Sequence, residues 1–454
     1  MTIFEKESYI GGRSTTVHAY NDSNFPIELG ASVFVEINKI LVDAVEAFNL
    51  STSSFDTKSE DIPGPALGIW DGKTFIFTQE NERGWWDTAK LFYRYGLSPV
   101  RTLNLMKATI GKFLKMYEEP VFPFASLTQA AQDVGLLAAT SATGEAFLRE
   151  NSISSLFGRE IIQASTRVNY AQNIDNFHGL ETMVCMAANG AMSVEGGNWQ
   201  IFANMVASAK ASILLETEVT KIEKVKNGGF NIASKSPSPD LTTTRLLSSP
   251  FDSVILATPL QYSNIDTSSL PLHREPDNLP YVKLHVTLFT SPHLLSPLFF
   301  NLAPGKPVPQ AIITTLPPDE HPPHNATVGS PGFYSISLLD DVVNPNTGGV
   351  EYAYKIFSPA AVGVDFLADL LGVQESESGE LRAEDVSWLY RKVWHSYPYE
   401  YPRDSFEDIK LGEGLWYTSG IERFISTMET SALMGKNVAR LVVDGWLEEE
   451  AIKA

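Results

Sequence analysis

The spacing of apolar residues changes period along this chain, and each change marks an element. Thr217-Glu218-Val219-Thr220-Lys221-Ile222-Glu223 alternates with period two, the pattern of a half-buried strand. Asp252-Ser253-Val254-Ile255-Leu256-Ala257-Thr258-Pro259 is a short apolar run closed by proline and reads as a buried strand with a stop. Val282, Leu284, Val286 and Leu288 repeat with period two up to Phe289, which predicts a strand with one face on a core. Leu67 to Phe77 predicts two strands around the Asp71-Gly72 turn. Helical spacing is carried by Val33, Val35, Ile37, Ile40, Leu41 and Val45, so a helix is expected to open at Glu28-Leu29-Gly30-Ala31-Ser32. Ile201, Phe202, Met205 and Val206 predict another helix after Val194-Glu195-Gly196-Gly197-Asn198. Gly414 to Glu422 predicts a strand and turn that feed a helix running from Met428 through Ala439. The stretches Ser234 to Pro250 and Pro304 to Pro331, rich in Ser, Thr and Pro, read as surface loops. No internal repeat is visible.

Composition narrows the class. A chain of 454 residues with 43% hydrophobic residues suits two domains with sizeable cores. A formal net charge of −20 disfavours nucleic acid and anionic membrane surfaces as direct electrostatic partners. No apolar run approaches the roughly 18 residues that a membrane span needs, and no basic-then-apolar leader opens the sequence as written, so neither a span nor an export signal is expected. The single cysteine, Cys185, sits among Met183, Val184 and Met186 and reads as a buried, inert thiol; one cysteine excludes an intrachain disulfide and any multi-cysteine metal site. Asn21-Asp22-Ser23, Asn49-Leu50-Ser51 and Asn325-Ala326-Thr327 are acceptors for glycosylation if the protein enters the secretory pathway.

The chemistry begins at the first residues. Thr2-Ile3-Phe4-Glu5 is a short apolar run ending in an acid, as in the second strand of a dinucleotide-binding βαβ unit, where Glu5 can hydrogen-bond ribose hydroxyls. Gly11 and Gly12 let backbone N–H groups approach a phosphate, and Arg13 adds a charged fork for the same anion. This combination suggests FAD. A strand, a GxGxxG turn and a helix should stand about 20 or more residues ahead of the acid; they do not precede Glu5, so the cofactor domain is expected to lack its first βα unit. Each piece also has a plain reading, as a glycine turn in a loop or before a core helix.

Taken together, the Gly11-Gly12-Arg13 and Glu28–Ser32 segments resemble the amine-oxidase and phytoene-desaturase branch of two-domain α/β FAD-binding proteins. The C-terminal block, with Arg167-Val168-Asn169-Tyr170-Ala171-Gln172 and Leu91-Phe92-Tyr93-Arg94-Tyr95-Gly96, resembles the prenylcysteine oxidases, also called prenylcysteine lyases, from Phe4 to Trp446. The resemblance implies an FAD-binding domain from residues 1–35, 191–265 and 403–454, and a substrate domain from 36–190 and 266–402. It implies cofactor contacts at Glu5, Gly11, Gly12, Arg13, Gly30, Ala31, Ser32, Gly196, Gly197, Val219, Gly420 and Met428, with the N-terminus of the last helix at the pyrimidine end of the flavin. It further implies a reaction in which hydride leaves the prenyl carbon next to sulfur, water adds, and cysteine, a prenyl aldehyde and hydrogen peroxide are released with molecular oxygen as acceptor. The compartment implied is the vacuole, lysosome or secretory pathway.

Candidate substrate residues are Arg167 with Asn169 and Tyr170, because a guanidinium can clamp a carboxylate; an arginine that bridges two domains is the alternative. The aromatic run Trp394-His395-Ser396-Tyr397-Pro398-Tyr399 offers His395 as a base or as a structural histidine. Trp85-Trp86 is read as core filling or a helix cap. Two other functions stay open: a catalytically inactive fragment or prenyl-lipid binding protein, and a flavin amine oxidase-like enzyme.

Overall fold

The structure is a computed structural model and describes residues 1–54, 62–80, 91–226, 228–236, 245–246, 250–322, 328–375 and 379–453. Trp85-Trp86 and the acceptor site at Asn325 lie outside the described residues.

Small sheets build one side of the molecule. Thr2–Phe4 pairs in parallel with Ser212–Leu214, and the Glu5 N–H continues the ladder to the Leu214 carbonyl. Val254–Leu256 pairs in parallel with Leu415–Tyr417, and both strands are buried in one core with Ile222, Phe230 and Leu411. Glu218–Lys224 forms an antiparallel ribbon with Phe230–Lys235, with a bulge between Val219 and Lys221. The period-two pattern read at 217–223 is therefore a real strand, shifted by a residue at its start.

The other side is a seven-stranded sheet in the order Trp388–Pro398, Tyr281–Ser291, Val350–Ser358, Ser335–Val343, Ala311–Thr314, Leu67–Trp70, Phe75–Gln79. All of its pairings are antiparallel except Ala311–Thr314 with Leu67–Trp70. Val282, Leu284, Val286 and Leu288 face a core shared with Ala19, Ile27 and Leu29, while Phe289 faces a second core with Tyr354, Ile356 and the helix Val364–Leu371. The strand was expected to bury one face. It is buried on both from Val286 to Ser291, because it lies between two neighbours with layers above and below.

Two expectations need correction. No helix opens at Glu28–Ser32: Pro26–Glu28 and Phe34–Val35 are strands, Ala31 has a left-handed φ of 24°, and the helix is Lys39–Ala47. A residue with positive φ interrupts the helical repeat locally, whatever the side-chain spacing around it. Second, the serine-, threonine- and proline-rich stretches are not continuous loops, since Phe230–Lys235 runs past Ser234, Arg245–Leu246 pairs with it, and Ala311–Thr314 is an internal sheet strand. Packing runs on across residue 35: Leu41 and Ala44 share a core with Phe34, Val194, Ile201 and Met428, and Thr52–Ser54 pairs with Ala191–Val194.

The C-terminal reading carries through: strand Leu415–Tyr417, a 3-10 turn at Ser419–Arg423, then helix Met428–Lys453. Cys185 is buried, and burial raises its thiol pKa well above the usual value, in keeping with an inert thiol.

Candidate functional site

Segments far apart in sequence converge on the first glycine loop. Gly11 and Gly12 take φ of 128° and 60°, and the N–H groups of Gly11, Gly12 and Arg13 make no backbone–backbone hydrogen bond among the described residues. A Cβ on Gly11 would stand 2.3 Å from the Ser14 carbonyl oxygen, whereas one on Gly12 would meet nothing within 4 Å. Gly11 is thus required by the turn itself, and Gly12 presents bare backbone to open space. Arg13 is not the free phosphate fork expected from sequence. Its guanidinium pairs with Glu422 at 2.7 Å and donates to the Ser396 carbonyl, tying the loop to the C-terminal turn and to the large sheet.

Beside it, the Glu28–Ser32 segment is held from both sides. Glu28 Oε1 accepts the Asn198 N–H at 2.6 Å, and Asn198 Nδ2 donates to the Ala31 carbonyl at 2.8 Å. The same Asn198 accepts the Val194 N–H through Oδ1, which closes the turn around Gly196 and Gly197, both at positive φ. A Cβ on Gly197 would be 2.6 Å from Thr16 Cγ2, so this turn packs directly on the first hairpin. From the sheet side, buried Lys355 donates to the Glu28 carbonyl at 3.0 Å and to Ser32 Oγ at 2.9 Å. Burial lowers the Lys355 pKa to about 8 and raises that of Glu28 to about 7. Trp394 closes on Gly30, where a Cβ would lie 3.1 Å from the indole.

Glu28 Oε2, Ser14 Oγ and Ser396 Oγ are buried without a protein partner among the described residues. Buried oxygens are normally satisfied, so oxygens left over on neighbouring segments mark a place built for a polar ligand. Bare N–H groups at Gly11–Arg13, the acid Glu5 at the end of a parallel strand, and these oxygens fit a dinucleotide cofactor. Glu5 is itself partly engaged, accepting the Glu7 N–H at 2.8 Å.

At the far end, Thr427 caps the C-terminal helix by accepting the Thr430 N–H, leaving the first N–H groups of the helix without intrahelical partners. Met428 packs sideways on the core of the Lys39–Ala47 helix. Gly420 is buried, with Glu407 Cβ 3.1 Å from the place of a Cβ, so a larger residue would press on that side chain. Val219 sits at the bulge of its ribbon.

The four proposed substrate residues are not brought together. Arg167 is fully buried and its guanidinium donates to Thr314 Oγ1 at 3.0 Å, Asn173 Oδ1 at 2.9 Å and the Val328 carbonyl at 2.7 Å, above the Tyr334 ring. These partners tie its helix to the large sheet within the expected substrate domain, and they occupy the guanidinium donors that were read as a carboxylate clamp. Burial lowers its pKa to about 10. Asn169 is exposed and bonds back to the Ser165 carbonyl. Tyr170 does reach the site, donating to the Ser426 carbonyl at 3.0 Å just before the C-terminal helix. His395 is exposed and stacks on Tyr262 at 4.2 Å between ring centroids. Tyr397, in the bulge that follows His395, meets Tyr170, which in turn packs on Phe177. An aromatic row results.

Sequence reading missed Lys355, Glu422 and Glu429. Lys355 carried a signal, a lone lysine inside the apolar run Tyr354-Lys355-Ile356-Phe357. The other two are acids in a helical or turn context, and only their tertiary partners distinguish them.

The family described as prenylcysteine lyase matches residues 78–453. Farnesylcysteine lyase from Arabidopsis thaliana is 30% identical over 100% of this chain and 83% of its own length. Prenylcysteine oxidase 1 from Pongo abelii is 26% identical over 98% of this chain and 83% of its own. Among solved structures, a putrescine oxidase mutant superposes with a TM-score of 0.56 at 11% identity, covering 98% of this chain and 93% of that one, which establishes a shared two-domain α/β fold.

Proposed function

Because the chain belongs to the prenylcysteine lyase family, we propose that it is a flavin-dependent thioether oxidase that converts a prenylcysteine, water and molecular oxygen into cysteine, a prenyl aldehyde and hydrogen peroxide. The observation that carries the cofactor part is the set of bare N–H groups and unpartnered buried oxygens around Gly11–Ser14, Glu28 and Ser396. Bound there, FAD supplies a two-electron acceptor for hydride from the carbon next to sulfur. The chain's own contribution is binding and placement. Gly11 and Gly12 offer N–H donors to phosphate, Glu5 offers a carboxylate to ribose, and the Met428 end of the C-terminal helix offers partial positive charge. Lys355 and Asn198 hold the Glu28–Ser32 segment in register with the glycine turns. Partly buried Tyr397, backed by buried Tyr170 and Phe177, is the apolar wall available to an isoprenoid, where each buried methylene contributes about 0.8 kcal/mol. The absence of a nucleophile–base pair from this proposal follows from the chemistry: hydride loss next to sulfur makes the carbon electrophilic, and water completes the cleavage.

The test is incubation of the purified, FAD-supplemented protein with farnesylcysteine in air. Cysteine, farnesal and peroxide in equal amounts are expected. Oxidation of simple amines with no turnover of farnesylcysteine would replace this reading with an amine oxidase, and farnesylcysteine binding without product would replace it with a prenyl-lipid binding protein.

A further inference from the structure

Behind the aromatic row, three ionisable side chains are sealed from solvent with polar atoms to spare. His178 and Glu181 have no exposed surface, and the side chain of Glu400 has none either. His178 Nδ1 accepts the Glu181 N–H at 3.1 Å, capping the helix Gly179–Cys185. That bond places the ring proton on Nε2, which stands 3.4 Å from Glu400 Oε2. Glu181 Oε1 accepts the Ser426 N–H at 3.2 Å, in the turn that leads into the C-terminal helix. Glu181 Oε2, both carboxyl oxygens of Glu400 and His178 Nε2 have no hydrogen-bond partner among the described residues.

Two ionised carboxylates in such a place would be both desolvated and mutually repelled. Other charges face the group. Tyr170 and Cys185 approach from the adjoining helices, and Arg403, Arg423, Glu407 and Glu422 from the C-terminal segments, with Asp277 beyond the two arginines. The arginines are already engaged: Arg423 with Glu407, and Arg403 with both Glu407 and Asp277. Arg403 Nε is left buried without a partner, but among the described residues neither arginine forms an ion pair with Glu181 or Glu400.

We propose that His178, Glu181 and Glu400 form a closed proton-holding site in which both carboxyls are neutral acids and the imidazole is neutral at physiological pH, so that no negative charge stands behind the turn that opens the C-terminal helix. Burial, followed by the neighbouring Glu400, raises the Glu181 pKa to about 8; burial raises that of Glu400 well above its usual value and lowers that of His178 to about 4. The consequence for function rests on the reading above, in which this helix end meets the electron-rich end of a flavin. An ionised Glu181 on the Ser426 N–H would oppose the positive end of the helix.

The test needs no turnover, so its failure is distinguishable from failure of the thioether reading. Infrared spectra of the full chain should show at pH 7 the carbonyl stretch of protonated carboxyl groups, diminishing above pH 8. Glu181→Gln and Glu400→Gln should each remove part of that band. In urea titrations, the ratio of wild-type to Glu181→Gln unfolding constants should rise about tenfold per pH unit over roughly pH 6 to 7.5, because the native acid keeps a proton that the unfolded chain releases. A wild-type spectrum without the band at pH 7 overturns the proposal even if neither variant folds. A ratio independent of pH overturns it too.

Discussion

At the scale of single residues, the two glycines of the first loop do different work. Gly12→Ala should cost about 1 kcal/mol in stability for its positive φ, because its Cβ would enter open space. Its FAD affinity should nonetheless fall, since that space is where a phosphate would approach. Gly11→Ala should cost more in stability, because the added carbon meets the Ser14 carbonyl at 2.3 Å. Urea titration with and without FAD separates the two; a Gly12 variant that loses stability but keeps full FAD affinity would move the phosphate elsewhere. Lys355 gives a pH-dependent signature. A buried lysine whose pKa falls to about 8 from 10.5 binds fewer protons when folded than unfolded between those values. Wild-type stability should therefore gain about 2 to 3 kcal/mol over that range relative to Lys355→Met, which has no ammonium to bury. Parallel pH profiles for the two proteins would mean that Lys355 is hydrated and not held by Glu28 and Ser32.

At the scale of elements, the helix Lys39–Ala47 shows how one segment is capped by another. Its own Asn38 makes no side-chain cap and instead accepts the Val35 N–H. The helix N-terminus is satisfied by Glu429, in the first turn of the C-terminal helix, which accepts the N–H groups of Ile40 at 2.9 Å and Leu41 at 3.0 Å and the Tyr117 hydroxyl at 2.8 Å. Glu429→Ala strands three donors in a partly buried place. Calorimetry should register a loss of roughly 2 to 4 kcal/mol, more than an ordinary surface cap gives. A loss below about 1 kcal/mol would mean that water replaces the carboxylate. Asn437 plays a similar part further along, bonding both the N–H and the carbonyl of Phe124.

For the whole molecule, the net charge of −20 acts through every acidic surface at once. Self-repulsion of that size should make the thermal midpoint rise as salt increases from a few millimolar toward about 0.15 M, where the screening length is about 8 Å. A midpoint that falls with salt would show that specific ion pairs, such as the Arg403, Arg423, Glu407 and Asp277 group, outweigh the global field. Both cores around the strand Tyr281–Ser291 also belong to this scale. One is shared with Ala19, Ile27 and Leu29 from the N-terminal segments, so the large sheet and the glycine-bearing loops are packed on one another directly.

Local pattern was enough for elements whose shape depends on nearest neighbours. The period-two runs at 217–223 and 282–289, the Asp71-Gly72 turn and the C-terminal strand, turn and helix are all present, because side-chain alternation and turn chemistry act within a few residues. Glycine motifs marked the turns at Gly11-Gly12 and Gly196-Gly197, all four at positive φ, since that conformation is a need that few other residues meet. What lay beyond the sequence was every feature created by distant partners. The Glu28–Ser32 segment is not a helix start because Asn198, Lys355 and Trp394 hold it in another shape. Arg13 and Arg167 read as anion forks, yet Glu422 and the Ser396 carbonyl occupy the first, and Thr314, Asn173 and the Val328 carbonyl the second. A guanidinium has the same donors whether it faces a ligand or its own chain, and only folding decides which acceptors arrive first.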